Sequence, residues 1–393
     1  MSLSITQTPA SVGLAQSPLA FTVAESDSNL LTSSSFQYVG VLYYWQGGIY
    51  ASSSTQTYTL TKYPNTSGVG IFDASKIINS TLTSLLIQNT SNVEYYAIDF
   101  YTQYLNSGAY VTGSHVKSAT YKALDGYALM GTDTIGESLN GMTPYWPLMT
   151  SGPSTQSVFV NDRGYAGVWA NTTIDATVAD RVIYKDNTGT TGTYFLSTSD
   201  SSSAQIAQYP QAPAETGFPL TITNSNSYYT IQAYNGASPL GNQLKFEIAQ
   251  QQKYDNIRVG YKNRFGQFDY IDFYMQNRQS FSVAKRSYQP QLGSWNASTL
   301  GYNSYDSNNK NYIIDANQTI EVNSNWLPEE QNALIKQMMV SDEIYWFYDQ
   351  PNSNYVKPLS IATSNILFKT GLNDHLIQYA FTFNFGQSYK LIF

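Results

Sequence analysis

The sequence predicts a mainly β fold, with antiparallel sandwich- or barrel-like domains and two short packed helices. Three observations carry this. Short runs rich in Tyr, Phe, Val and Ile alternate apolar and polar residues with a period of two. Only two segments show apolar residues at helical spacing. Finally, the composition is aromatic rather than charged: of 393 residues, 15% are aromatic, including 34 Tyr, and 12% are charged. That charged share is about half the usual one. A 42% apolar content still supports substantial cores.

In chain order, Leu19–Val23 and Phe36–Trp45 read as strands. The turn Gln46-Gly47-Gly48-Ile49-Tyr50 returns the second as a hairpin, with Tyr58 and Leu60 on one face. The first helix is expected over 73–86, capped by Asp73, with Ile78, Leu82, Leu85 and Leu86 as its stripe. Val93–Tyr101 then alternates, placing Tyr96, Ile98 and Phe100 on one face. These elements make an N-terminal β domain, 1–150. A small β module, 151–240, follows as a possible insertion, its strands joined by the turn Asp186-Asn187-Thr188-Gly189. The Pro-marked stretch around Pro210, Pro213 and Pro219 is the boundary signal. A C-terminal β domain, 241–393, opens on the alternating Leu244–Ile248 and continues through Asn256–Tyr261, Asn263–Tyr274 and Ser280–Tyr288. Its helix is expected over 325–339, capped by Ser324 or Asn325, with Pro328 in the first turn and Glu329 and Glu330 at the positive end of the dipole. The closing strand sets Ile377, Tyr379, Phe381, Phe383 and Phe385 on one face.

Composition narrows the function classes. There is no cysteine, which removes disulfides, thiolate nucleophiles and cysteine metal sites together. No apolar run approaches membrane-spanning length, so no membrane segment is expected. The N-terminal segment lacks a basic region followed by an apolar core, so release by lysis fits better than ordinary secretion. Residues 1–240 hold 7 basic and 14 acidic side chains, a net −7, and residues 241–393 hold 13 of each. This balance argues against nucleic acid as a partner. Arg258, Lys262, Arg264, Lys285 and Arg286 are the single basic group, interleaved with Phe265 and Phe268; salt bridges at a subunit interface are the expected use.

No catalytic, cofactor-binding or metal-ligating set emerges, and the chain is read as non-enzymatic with no cofactor. His115 and His375 are far apart in sequence. Asp269 and Asp272 lie three apart in one strand and so face opposite ways, unlike the opposed carboxylates of a glycosidase. The aromatic excess is the stronger signal. Tyr43-Tyr44-Trp45 and Tyr345-Trp346-Phe347-Tyr348 put rings on both faces of their strands. Two-sided burial requires a second layer, for which a neighbouring subunit is the expected source. The interface candidates are therefore Tyr43, Tyr44, Trp45, Tyr345, Trp346, Phe347 and Tyr348, with Arg264 and Phe265.

Several segments together resemble virion structural proteins of tailed bacteriophages, of the crAss-like and related phages of Bacteroidetes hosts. They are Ile5-Thr6-Gln7-Thr8-Pro9, Ser17–Val23, Phe72–Ile78, Asn263–Tyr270, Val283–Tyr288, the Trp326-Leu327 helix start and the aromatic C-terminal strand. The resemblance covers both ends of the chain and leaves about 105–240 unassigned. It implies a β-rich structural subunit of the tail, connector ring or baseplate region. Its partners would be copies of itself in a ring and other tail or connector proteins. Its place would be the virion, near the tail or portal, after assembly in the host cytoplasm. The alternative is a carbohydrate-binding adhesin or receptor-binding protein, whose shallow groove would depend on Trp45, Trp169 or Trp346.

Overall fold

In a computed structural model, the described residues are 3–46, 55–82, 93–129, 139, 142–170, 178–196, 205–250, 253–296, 299–301, 303–347, 356–368, 376–387 and 389–392. The fold is mainly β, as the alternation predicts, and its sheets are largely antiparallel. The chain divides into two compact units. The first comprises 1–250 and 262–269, and the second 251–261 and 270–393.

The first unit is built around a six-stranded sheet. Gln37–Gln46 pairs antiparallel with both Gln56–Lys62 and Val93–Asn106, and the latter continues to Tyr121–Leu124 and Ala109–Lys117. The expected hairpin is thus formed, while its turn residues 47–50 lie outside the described residues. Both faces of this sheet are covered. On one face Tyr38, Leu42, Tyr96, Ile98 and Phe100 pack with Phe21, Val23 and Phe72 of a three-stranded sheet, Leu3–Gln7, Ala20–Glu25 and Val69–Asp73. The Phe21 ring meets Tyr96 and Tyr121 edge-on at 6.2 and 5.3 Å. Tyr38 closes this face by donating to the Gly68 carbonyl at 2.6 Å and accepting from the Glu25 N–H at 3.0 Å. Gly70 is required beside it, because a Cβ there would lie 2.5 Å from the Tyr38 ring. On the other face, Trp45, Val93, Tyr95 and Ala97 pack with Trp169, Ile206 and Phe265.

The middle module has its own sheet and core. Thr155–Val158, Ser238–Ile248, Tyr228–Asn235, Arg181–Asp186 and Thr191–Phe195 lie in that spatial order, and Tyr165–Ala170 pairs with Gln205–Pro210. Tyr184 and Tyr229 are buried in this core and donate to the carbonyls of Pro210 and Gln211, each at 2.7 Å. The Asp186 turn forms as expected, its Oδ1 accepting from the N–H groups of Thr188 and Thr190. The alternating Leu244–Ile248 belongs here rather than to the C-terminal domain. Phe246 stacks on Tyr229, so an expected boundary at 240–241 falls inside a strand.

The second unit is built on an eight-stranded sheet. Its path runs Phe268–Phe273, Ile257–Lys262, Ile344–Phe347, Val356–Ile361, Ala380–Phe385, Lys310–Asn323 and Arg278–Tyr288, with Tyr389–Ile392 beside Lys310–Asn323. Ile377, Tyr379, Phe381 and Phe383 lie in one core with Phe385 against it, as their spacing predicts.

Both helices are shorter than expected. The first covers Ser75–Thr81, with Asp73 accepting from the Ser75 N–H at 2.9 Å. Leu82 is already extended, and Ser80 and Thr81 bond back to the carbonyls of Ile77 and Ile78, a use of hydroxyls that competes with helix continuation. Residues 83–86 of the expected helix lie outside the described residues. The second helix covers Asn332–Val340 behind a 3-10 turn, Glu329–Gln331. A proline pushes the residue before it out of the α region, and Leu327–Pro328 accordingly bridges to Leu376–Ile377 as strand. Ser324 is not a cap: its hydroxyl accepts from the Tyr379 N–H at 2.8 Å.

Candidate functional site

The sequence-derived interface candidates divide by burial. Trp45 is 3% exposed, Arg264 5%, Phe265 0% and Trp346 9%. Trp45 stacks on Tyr95 at 6.1 Å, and Phe265 lies in the same core. Trp346 meets Phe385 at 5.9 Å. For these four residues the second layer demanded by two-sided strands is supplied by the chain itself. Tyr43, Tyr44, Tyr345 and Phe347 are half-buried, and Tyr348 lies outside the described residues.

The basic group divides as well. Arg258 is buried and donates to Asp272 at 2.7 Å, with its guanidinium 4.5 Å from the Tyr270 ring centre. Lys262 is buried against Asp125 at 3.0 Å, and Arg264 donates to the Met142 carbonyl at 3.0 Å. These three cations are structural. Only Lys285 and Arg286 stand in the open.

Lys262 and Arg264 belong to a buried polar knot that holds the turn 263–267 in the first unit. Asn263 is its centre. Its Oδ1 accepts from the N–H groups of Phe265 and Gln267, and its Nδ2 donates to the Met149 carbonyl and to Asp269 Oδ2. Gly266 has φ +73°, and a Cβ there would overlap the Asp125 carbonyl. Burial pushes the Asp269 carboxyl up to about 6, against hydrogen bonds from Thr150, Asn263 and the Ser151 backbone. A second buried acid, Glu94, is pushed up to about 7 by desolvation, partly offset by a hydrogen bond from Gln46. Its Oε2 has no hydrogen-bond partner among the described residues.

Neither acid lines the pocket seen among the described residues. The pocket between Thr8, Pro9, Leu14, Ser17 and Met142 has a volume of about 60 Å³, room for a water or two. His115 faces Asp99 at 3.8 Å and stacks on Tyr101. His375 lies outside the described residues. Among the described residues no three His, Asp or Glu side chains gather as a metal site.

What the structure does present is uncovered sheet edge. Arg278–Tyr288 is the terminal strand of the eight-stranded sheet, paired only with Lys310–Asn323 among the described strands. All eleven of its residues are exposed, on both faces. Phe281 and Val283 share one face at 58% and 45% exposure. Tyr288, on the other, meets Tyr312 at 6.2 Å. Two further edges lie in the first unit, Gln56–Lys62 with exposed Tyr58, and Ala109–Lys117 with exposed Tyr110 and Val111. Sequence reasoning located the Arg278–Tyr288 strand but not its edge position. The available signal was three cations and no acid within eleven residues, the composition of a guarded edge.

No protein-family model matches this chain, and no curated protein matches it in sequence. The functional reading therefore rests on the edges and the burial pattern.

Proposed function

We propose that this chain is a non-enzymatic structural subunit that assembles through its sheet edges with copies of itself. The ring of a bacteriophage tail or connector is the setting the sequence resemblance suggests. The observation that supports it is the eleven-residue strand Arg278–Tyr288, which has a neighbour on one edge only among the described strands and is exposed on both faces. A long edge strand is a template for another strand; chains that stay single shorten, bend, cover or charge it, and here the charges sit at the ends, on Arg278, Lys285 and Arg286, leaving Gln279–Ala284 uncharged. Here it pairs with Lys310–Asn323 in unbroken register from Arg278 to Arg286, with one shift between Arg286 and Ser287. The carbohydrate-binding alternative is less well supported. It needs Trp45, Trp169 or Trp346 on an open groove, whereas they are 3%, 5% and 9% exposed.

The test is the native mass of the purified chain by light scattering over a concentration series, with negative-stain imaging of any large species. Closed multimers are expected. A monomer at every concentration overturns the proposal.

A further inference from the structure

We infer that the Arg278–Tyr288 edge is completed by a strand from a second copy of this chain, in a head-to-tail contact rather than a symmetric one. This rests on the assembly reading above and names its surface. Strand addition supplies main-chain hydrogen bonds along the full edge, while Phe281 and Val283 offer apolar contact on one face and Tyr288 on the other.

Charge selects the mode. The strand carries Arg278, Lys285 and Arg286 and no acid. Two such strands joined symmetrically would gather six cations and no anion in one junction, and like charges across a strand pair are destabilising. Two edge strands of the first unit among the described residues, Gln56–Lys62 and Ala109–Lys117, carry one lysine each and no acid, so a head-to-tail junction gathers four cations where a symmetric one gathers six. They belong to a unit with 10 basic and 16 acidic residues, a net −6 over 1–250 and 262–269. A contact between the basic edge of one copy and the acidic unit of the next is attractive at long range. Because it joins unlike surfaces, it propagates around a ring until it closes.

Three full-length variants test this. Lys285→Glu with Arg286→Glu reverses the charge of an exposed segment, and the multimer fraction should fall about tenfold or more at equal concentration, with the unfolding midpoint unchanged. Ser282→Pro and Val283→Pro sit at adjacent positions, whose N–H groups point to opposite sides of the strand. One of them should abolish assembly while the hairpin with Lys310–Asn323 stays intact, read as an unchanged circular dichroism spectrum. Because the chain has no native cysteine, Val283→Cys reports the mode directly. Under mild oxidation the head-to-tail contact leaves it unlinked within multimers. Quantitative disulfide dimers would show symmetric pairing and overturn the inference. Multimers that survive both the charge reversal and the two prolines also overturn it, while leaving the assembly reading standing. A wild-type chain that is monomeric throughout overturns both.

Discussion

Replacing Glu94 by Gln should stabilise the protein at alkaline pH and not at acid pH. Glu94 is 2% exposed, on the sheet face that carries Tyr96, Ile98 and Phe100, and its Oε2 meets no hydrogen-bond donor among the described residues. Burial raises its carboxyl from the ordinary 4.5 to about 7. The sign follows from proton binding. Between those two values the folded chain holds a proton that the unfolded chain has released, so stability rises as the pH falls through about 7 and levels off below about 4.5. The gap corresponds to about 3 kcal/mol spent at alkaline pH on keeping a buried carboxylate ionised. Gln removes that cost but brings an amide N–H₂ to the place where Oε2 has no partner, a penalty of about 1–2 kcal/mol at every pH. The expected result is a gain of about 1–2 kcal/mol at pH ~9 and a loss of similar size at pH ~4.5. Urea midpoints of wild type and Glu94→Gln, measured in parallel across that range, give the difference directly. Asp269 contributes its own slope near pH 6 to both proteins and cancels in the comparison. A difference that does not change with pH would refute the argument.

Two further predictions concern the buried polar knot. Asn263→Ala leaves two N–H groups, the Met149 carbonyl and Asp269 Oδ2 without their amide partner, and should cost about 4 kcal/mol in chemical unfolding; a loss under ~1 kcal/mol would mean that water replaces all four bonds. Lys262→Met strands the Asp125 carboxylate beside Gln16 and should cost about 3 kcal/mol, with much of it returned by adding Asp125→Asn; if the double variant is as unstable as the single one, the pair is not the unit of stability.

The fold was legible where a local pattern decides it. Alternation located the strands Gln37–Gln46, Val93–Asn106 and Ala380–Phe385, and the spacing of Leu334, Ile335 and Met338 located the second helix. The start of that helix was misplaced by seven residues. Ser324 and Asn325 look like caps, but Pro328 holds Leu327 extended, and the strand Leu376–Ile377 that pairs there is some fifty residues away. The same distance problem governs the candidate site. Rings on both faces of Tyr43-Tyr44-Trp45 do demand a second layer, but the residues that provide it, Trp169, Ile206 and Phe265, are brought in from over a hundred residues along the chain. Likewise, Lys262 shows its charge in the sequence and its partner Asp125 only in the fold. Two-sided burial is thus visible locally, whereas the origin of the covering layer is a long-range fact.

Arg278–Tyr288 presents the reverse case, a strand exposed on both faces. Among the described strands it pairs with Lys310–Asn323 alone. Arg278 lies opposite Glu321 and Phe281 opposite Gln318, and Tyr288 touches Tyr312 diagonally. Each such pair contributes roughly 0.2–1 kcal/mol, and no residue of the strand is buried in a core. Elsewhere in the same sheet, strands such as Ile257–Lys262 are buried along their entire length. A strand of this length without core burial is held mainly by its hydrogen-bonded edges, and only one of the two is occupied among the described strands. Filling the second edge adds a ladder and covers Phe281 and Val283 in the same step. Assembly would then be what orders the segment that makes assembly possible.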